Sequence, residues 1–182
     1  MAKMIDKLPE YEGEKKVWDC FSKNLPQQYV VYNTRSIKGW EYDFCVMAEN
    51  VGLFIIEVKG WLPQNIFNVV GEDAIILSGE EQPQSSPRKQ ARGYRFNMIN
   101  LLKQELGMNP LVMDLVCYPM ISKNEYLEKR LDIVSDETET IFKEDLEDSA
   151  LLFQKLIGRY NINIVVQLSR HKFNLFIMNR YM

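Results

Sequence analysis

The stretch EYDFCVMAENVGLFIIEVKGW, residues Glu41 to Trp61, decides the fold. Two apolar runs, Glu41 to Ala48 and Gly52 to Val58, flank the turn-like ENVG, and the pattern predicts two neighbouring buried strands. By the two-residue period of a strand, Leu53, Ile55, Glu57 and Lys59 share one face, and Phe54, Ile56 and Val58 the other. Both faces are apolar as far as Ile56, which places this strand in the middle of a sheet. A carboxylate there costs on the order of several kcal/mol unless something compensates it. A loop of three or five residues sets Asp43 directly opposite Glu57, with Cβ atoms roughly 5 Å apart, whereas a loop of two offsets them by one.

Two carboxylates that close repel unless they are protonated or bridged by a cation, and hard oxygen ligands suit Mg²⁺ or Mn²⁺. Lys59 would hold its ammonium beside the same pocket, where it can orient a water or stabilise charge on a phosphate oxygen. The same three residues also read as a plain ion-pair cluster at a sheet end.

The chain around this stretch has 182 residues, 46% of them apolar and 26% charged, which fits one globular domain with a real core and excludes a disordered or fibrous chain. The N-terminus MAKMIDKLPEYEGEKK lacks the apolar core of a signal peptide, and no apolar run approaches the roughly 18 residues that cross a bilayer. A soluble, cytoplasmic protein with no membrane partner is expected. Cys20, Cys45 and Cys117 lie in apolar patterns without metal-ligand spacing and are expected as buried free thiols.

A first helix is expected from about Tyr11 to Asn24, closed by Pro26, followed by the strand YVVYNTR. After the opening pair, NIFNVV and DAIILS suggest a hairpin turning through Gly71 and Glu72. A second helix runs from about Pro87 to Leu106 and stops at Gly107. LVMDLVCYPMI reads as another buried strand, followed by an acidic segment, a helix around Leu146 to Ile157, and two strand-like runs, INIVVQL and KFNLFIM. The net charge of -3 is unevenly spread. Residues Ser86 to Lys103 carry +5 and Glu128 to Asp148 carry -6. The basic helix reads either as a phosphate grip or as a solvated face.

GWEYD (Gly39 to Asp43), IEVK (Ile56 to Lys59) and QARGY (Gln90 to Tyr94) together resemble the G-x-x-x-D, (D/E)-x-K and Q-x-x-x-Y series of PD-(D/E)XK nucleases in their RecB-like branch. With YEGEKKVWDCF added, the run is similar to the nuclease-related domain, NERD, which often stands at the N-terminus of bacterial UvrD-like or DEAD-type helicases. The match covers about Tyr11 to Leu102, and Tyr42 stands where the Pro of the Pro-Asp pair would be.

The resemblance implies an α/β, restriction-endonuclease-like core in which helices flank a central mixed sheet. The chain is expected as a single domain over 1-182, with its motif core at about 11-122, a C-terminal elaboration over 123-182, and a helicase domain in the same longer polypeptide as a partner. Asp43, Glu57 and the main-chain carbonyl of Val58 would bind Mg²⁺ or Mn²⁺, and Lys59 would be the catalytic lysine. Glu14 would reach the metal directly or through water, or stand as a solvated first-turn acid. Gln90 and Tyr94, four apart on one helix face, would hold Lys59 and a substrate phosphate, or be ordinary surface polarity. The expected partner is DNA, which Arg88, Lys89, Arg92 and Arg95 would grip, with Trp61 stacking on a base or simply packing.

Trp18 and Trp40 are expected in the core, and His171, the sole histidine, in an exposed turn. No Walker A loop occurs, so ATP-driven movement would need another domain. The implied activity is a metal-dependent deoxyribonuclease. The contrasting class is a non-catalytic nucleic-acid-binding or protein-docking module that keeps the fold.

Overall fold

The computed structural model describes residues 1-157 apart from 38, 50 and 108-110. The expected strands INIVVQL and KFNLFIM, with His171 between them, lie outside the described residues, as does the side chain of Trp40. In chain order the elements are β1 (Lys3–Met4), α1 (Glu12–Asn24), β2 (Tyr29–Ile37), β3 (Trp40–Ala48), β4 (Gly52–Val58), β5 (Ile66–Val70), β6 (Ala74–Leu77), β7 (Gln84–Ser85), α2 (Pro87–Leu106), β8 (Val112–Cys117), α3 (Lys123–Glu128), β9 (Thr140–Ile141), α4 (Lys143–Glu147) and α5 (Ser149–Ile157).

Among the described residues, six strands form the main sheet in the order β1-β2-β3-β4-β8-β9. The β2–β3 and β3–β4 pairs are antiparallel, while β4–β8, β8–β9 and β1–β2 are parallel, so the sheet is mixed. All seven residues of β4 are buried, as expected of a central strand. Phe54, Ile56 and Val58 meet Val17 and Phe21 of α1 and Leu152 and Leu156 of α5 on one face of the sheet. Leu53 and Ile55 meet Met98, Leu101 and Leu102 of α2 on the other. Each fully buried side chain of this kind contributes about 1.5–3 kcal/mol. Trp18 is partly buried against the first of these cores, and the three cysteines are buried and unbridged.

Both long helices end where the sequence dictates. Leu25 closes α1 by donating its N–H to the Phe21 carbonyl, and Pro26 cannot continue the helix. Pro87 opens α2 where no N–H is needed, and Gly107 ends it in the left-handed region at φ 61°. The expected hairpin forms as β5–β6 in a separate small sheet, to which the two-residue β7, not expected from the sequence, is added.

The acidic segment helps to complete the core. Its β9 extends the main sheet beside β8, and Ile141 joins the core under α1 and α5. The helix expected around Leu146 to Ile157 is in fact two. Asp148 takes extended backbone (φ -123°, ψ 113°) between α4 and α5, and its carboxylate accepts the Ala150 N–H at 2.8 Å. A short aspartate side chain that can satisfy the first N–H groups of a new helix starts one readily. No helix among the described residues is long and apolar enough to cross a membrane.

Gly52 opens β4 at φ +152°, and a Cβ there would lie 2.4 Å from the Leu111 carbonyl oxygen, which accepts the Leu53 N–H. Gly52→Ala should therefore destabilise the fold by roughly 2–4 kcal/mol. Urea denaturation should show a lower midpoint with an unchanged slope, and a wild-type midpoint would contradict this close approach.

Candidate active site

The site begins where the β3–β4 ladder ends. The ladder runs from Ala48 opposite Gly52 to Phe44 opposite Ile56, across a loop of three residues, 49-51. One step further, the same register sets Asp43 against Glu57. Lys59, just past β4, donates its N–H to the Cys117 carbonyl of β8 at 2.8 Å. Alternation then turns the Val58 N–H and carbonyl toward β3. No β3 carbonyl meets that N–H; instead it donates to Asp43 Oδ2 at 2.6 Å. The two strands part at this point. Tyr42 accordingly packs into the same core as Cys45, although regular alternation would put them on opposite faces.

Glu57 is 5% exposed. Its Oε1 accepts from Lys59 Nζ at 2.6 Å, while Oε2 is buried and accepts no hydrogen bond. The Lys59 ammonium lies 5.7 Å from the centre of the Trp61 ring, which packs 6.2 Å from that of Tyr118. Trp61 is thus half-buried and braces the lysine.

Four acids share one field. Burial pushes Glu57 up to about 7, helped by Asp43 and partly offset by Lys59. Glu14, in the first turn of α1, is also raised to about 7 by burial and then by Asp43. Burial raises Asp43 as well, against the pull of the Val58 N–H and Lys59, and Glu41 adds to the rise. Tyr94 is pushed up to about 12 by burial and by Glu57, Asp43 and Glu41, so its hydroxyl stays protonated.

Gln90 lies one turn before Tyr94 with its Oε1 buried and unpartnered, and its side chain makes no hydrogen bond to Lys59. Lys59 is held by Glu57 rather than by the helix. Among the described residues, no three acidic, cysteine or histidine side chains gather closely enough to form a metal cage. Asp43 and Glu57 still fit an octahedral ion that keeps several waters, since such ions are commonly bound through one or two carboxylates. The orphaned Glu57 Oε2 and the Val58 carbonyl, turned to the open edge of β4, are suitable hard donors beside them.

Four of the five cations of α2 are engaged within the fold. Arg88 is 3.9 Å from Glu72 and Lys89 is 3.2 Å from Asp73. Arg95 bonds Asp114 at 3.0 Å, and Arg92 stands 3.8 Å from Asp114 and 3.9 Å from Glu139. Asp114 is buried in β8, and an uncompensated charge there would be costly. Arg95 therefore fastens α2 to the sheet. The signal lay in LVMDLVC, where a single acid inside an apolar strand demands a cation partner.

A central mixed sheet whose parting strands present two carboxylates and a lysine at one end is consistent with a nuclease-like core. The sequence model of the nuclease-related domain matches residues 9–119. The chain belongs to that family, whose placement among the PD-(D/E)XK nucleases is consistent with the fold. No curated protein matches the chain, and no solved structure does.

Without metal, the raised carboxyls carry a pH signature. Glu57 ordinarily titrates near 4.5 and does so near 7 in the fold, so the folded chain holds a proton that the unfolded chain has lost between these values. Stability must fall as pH rises through that window. Glu57→Gln should be more stable than wild type at pH 8 by on the order of 2 kcal/mol, with the advantage shrinking toward zero near pH 4.5. Urea melts in chelator at both pH values check this, and an advantage of the same size at both would contradict it.

Proposed function

We propose that this nuclease-related chain is a divalent-metal-dependent phosphodiesterase acting on DNA, and that it serves as the nuclease module of a DNA-processing or helicase-linked protein. The observation that carries the proposal is the end of the β3–β4 ladder, where Asp43, Glu57 and Lys59 converge and Glu57 keeps a buried oxygen without a partner. Asp43, Glu57 and the Val58 carbonyl would hold Mg²⁺ or Mn²⁺, with Glu14 reaching it directly or through water. When bound, such an ion supplies Lewis acidity against the phosphate and makes water a stronger nucleophile at neutral pH.

The chain's own residues do the rest. The Lys59 ammonium, on the strand face of Glu57, stabilises charge developing on a phosphate oxygen. Tyr94, kept protonated, offers a hydroxyl donor from the helix above. Trp61 limits the space open to Lys59. For Arg88, Lys89, Arg92 or Arg95 to grip the DNA backbone, each must share or exchange its present carboxylate for a phosphate, which favours Arg88 and Lys89, whose partners Glu72 and Asp73 are exposed, over Arg95, whose partner Asp114 is buried.

One observation favours the second reading, a non-catalytic binding or docking module. The Lys59–Glu57 pair closes on itself at 2.6 Å, as a purely structural ion pair would.

Cleavage of single- and double-stranded DNA separates the two. Wild type should cut in the presence of Mn²⁺ and lose cleavage in chelator. Lys59→Met keeps the aliphatic stem and deletes the charge, so it should fold, bind Mn²⁺ and cut about 10²–10³ times more slowly. Glu57→Gln should lose metal and cleavage together. Full cleavage by Lys59→Met would overturn the role given to the lysine, and a wild type that cuts no substrate would leave the binding module as the better account.

A further inference from the structure

Gly13 and Gly60 bring two backbones into direct contact beside the site. Gly13 is the second residue of α1 and is buried. A methyl group on its Cα would lie 2.8 Å from the Gly60 Cα, 3.4 Å from the Gly60 nitrogen and 3.2 Å from Pro119 Cγ. These obstacles cannot easily give way. The Lys59 N–H, just before Gly60, is fixed to the Cys117 carbonyl at 2.8 Å, and the Tyr118 N–H, just before Pro119, to that of Ile141 at 2.9 Å. An added Cβ would therefore move α1 rather than the sheet.

The contact is asymmetric. A methyl group at Gly60 would meet Gly13 Cα at 3.5 Å and its nitrogen at 3.6 Å, which is ordinary van der Waals separation. Neither glycine has a positive φ, so close approach, and not backbone conformation, is what excludes a side chain at Gly13. Local propensity points the other way, because glycine inside a helix costs about 1 kcal/mol relative to alanine. A tertiary constraint outweighs it.

The residue carried by that helical turn is Glu14. On this basis we propose that Gly13 is a positioning residue for the metal site: its contact with Gly60 seats the first turn of α1 on the backbone that follows Lys59, and so sets how near Glu14 stands to Asp43 and Glu57. The proposal rests on the metal-binding reading above and concerns metal capture, not chemistry. Groups that orient metal ligands from behind typically change affinity by about 10–100-fold when altered.

Calorimetric titration with Mn²⁺ tests it, with melting of the metal-free proteins as the control for folding. Gly13→Ala should fold and bind Mn²⁺ at least about tenfold more weakly than wild type, while Gly60→Ala should bind as wild type does. If Gly13 acts through Glu14, adding Gly13→Ala to a Glu14→Ala protein should produce no further loss. Wild-type affinity in Gly13→Ala overturns the proposal. So does an equal loss with and without Glu14, which would mark a general structural defect. Should Gly13→Ala fail to fold, Pro119→Ala loosens the same contact without adding bulk. It should give a smaller loss that also vanishes without Glu14, and unchanged affinity would overturn the proposal. A wild type that binds no Mn²⁺ would overturn the metal reading and this one with it, whereas binding that is indifferent to Gly13 overturns this one alone.

Discussion

A single hydrogen bond, from the Val58 N–H to the Asp43 carboxylate, sets the geometry on which the candidate site depends. A central strand must pair its backbone donors on both sides, and at Val58 a side chain takes the place of the neighbouring strand. That substitution lets β3 and β4 part without leaving a buried donor unsatisfied. It also ties Asp43 to the edge of β4, toward which the Val58 carbonyl is turned and beside which Glu57 and Lys59 stand.

Two buried acids on the α2 side of the sheet show what is unusual about this arrangement. Asp114 in β8 is answered by Arg95 at 3.0 Å, with Arg92 at 3.8 Å. Glu57, in the adjacent strand, has one lysine, one unpartnered oxygen, and Asp43 and Glu14 near enough to push its titration upward. A protein that needed only a stable sheet would compensate both acids in the same way. Four of the five cations of α2 are spent on Asp114, Glu139, Glu72 and Asp73, while the acids at the ladder end are left with a deficit of positive charge. A divalent ion is the simplest group of the right sign, size and ligand preference to remove that deficit.

Much of this was legible in the sequence because it follows from local rules. The strand period placed Glu57 and Lys59 on one face, Pro87 and Gly107 bounded α2, and the register of Asp43 against Glu57 was left to the loop length, which the structure sets at three. What escaped depends on contacts between distant segments. The parting of the strands at Asp43 cannot be read from a pattern that assumes an unbroken ladder. The basic run from Ser86 to Lys103 resembled a free basic face because the partners of Arg88, Lys89, Arg92 and Arg95 come from the β5–β6 turn, from β8 and from the acidic segment, far away in sequence. Nothing in the local pattern shows what Gly13 packs against, and only the approach of Gly60 explains it. Asp114 also went unread, although a lone acid among apolar strand neighbours signals a buried charge in need of a cation.

The measurement that bears most directly on the account is anomalous diffraction from crystals soaked in Mn²⁺. The account predicts a peak bridging the Asp43 and Glu57 carboxylates beside the Val58 carbonyl, with Glu57 Oε2 among its ligands. The absence of any peak there, with Lys59 still closed on Glu57 and Oε2 still unpartnered, would contradict it.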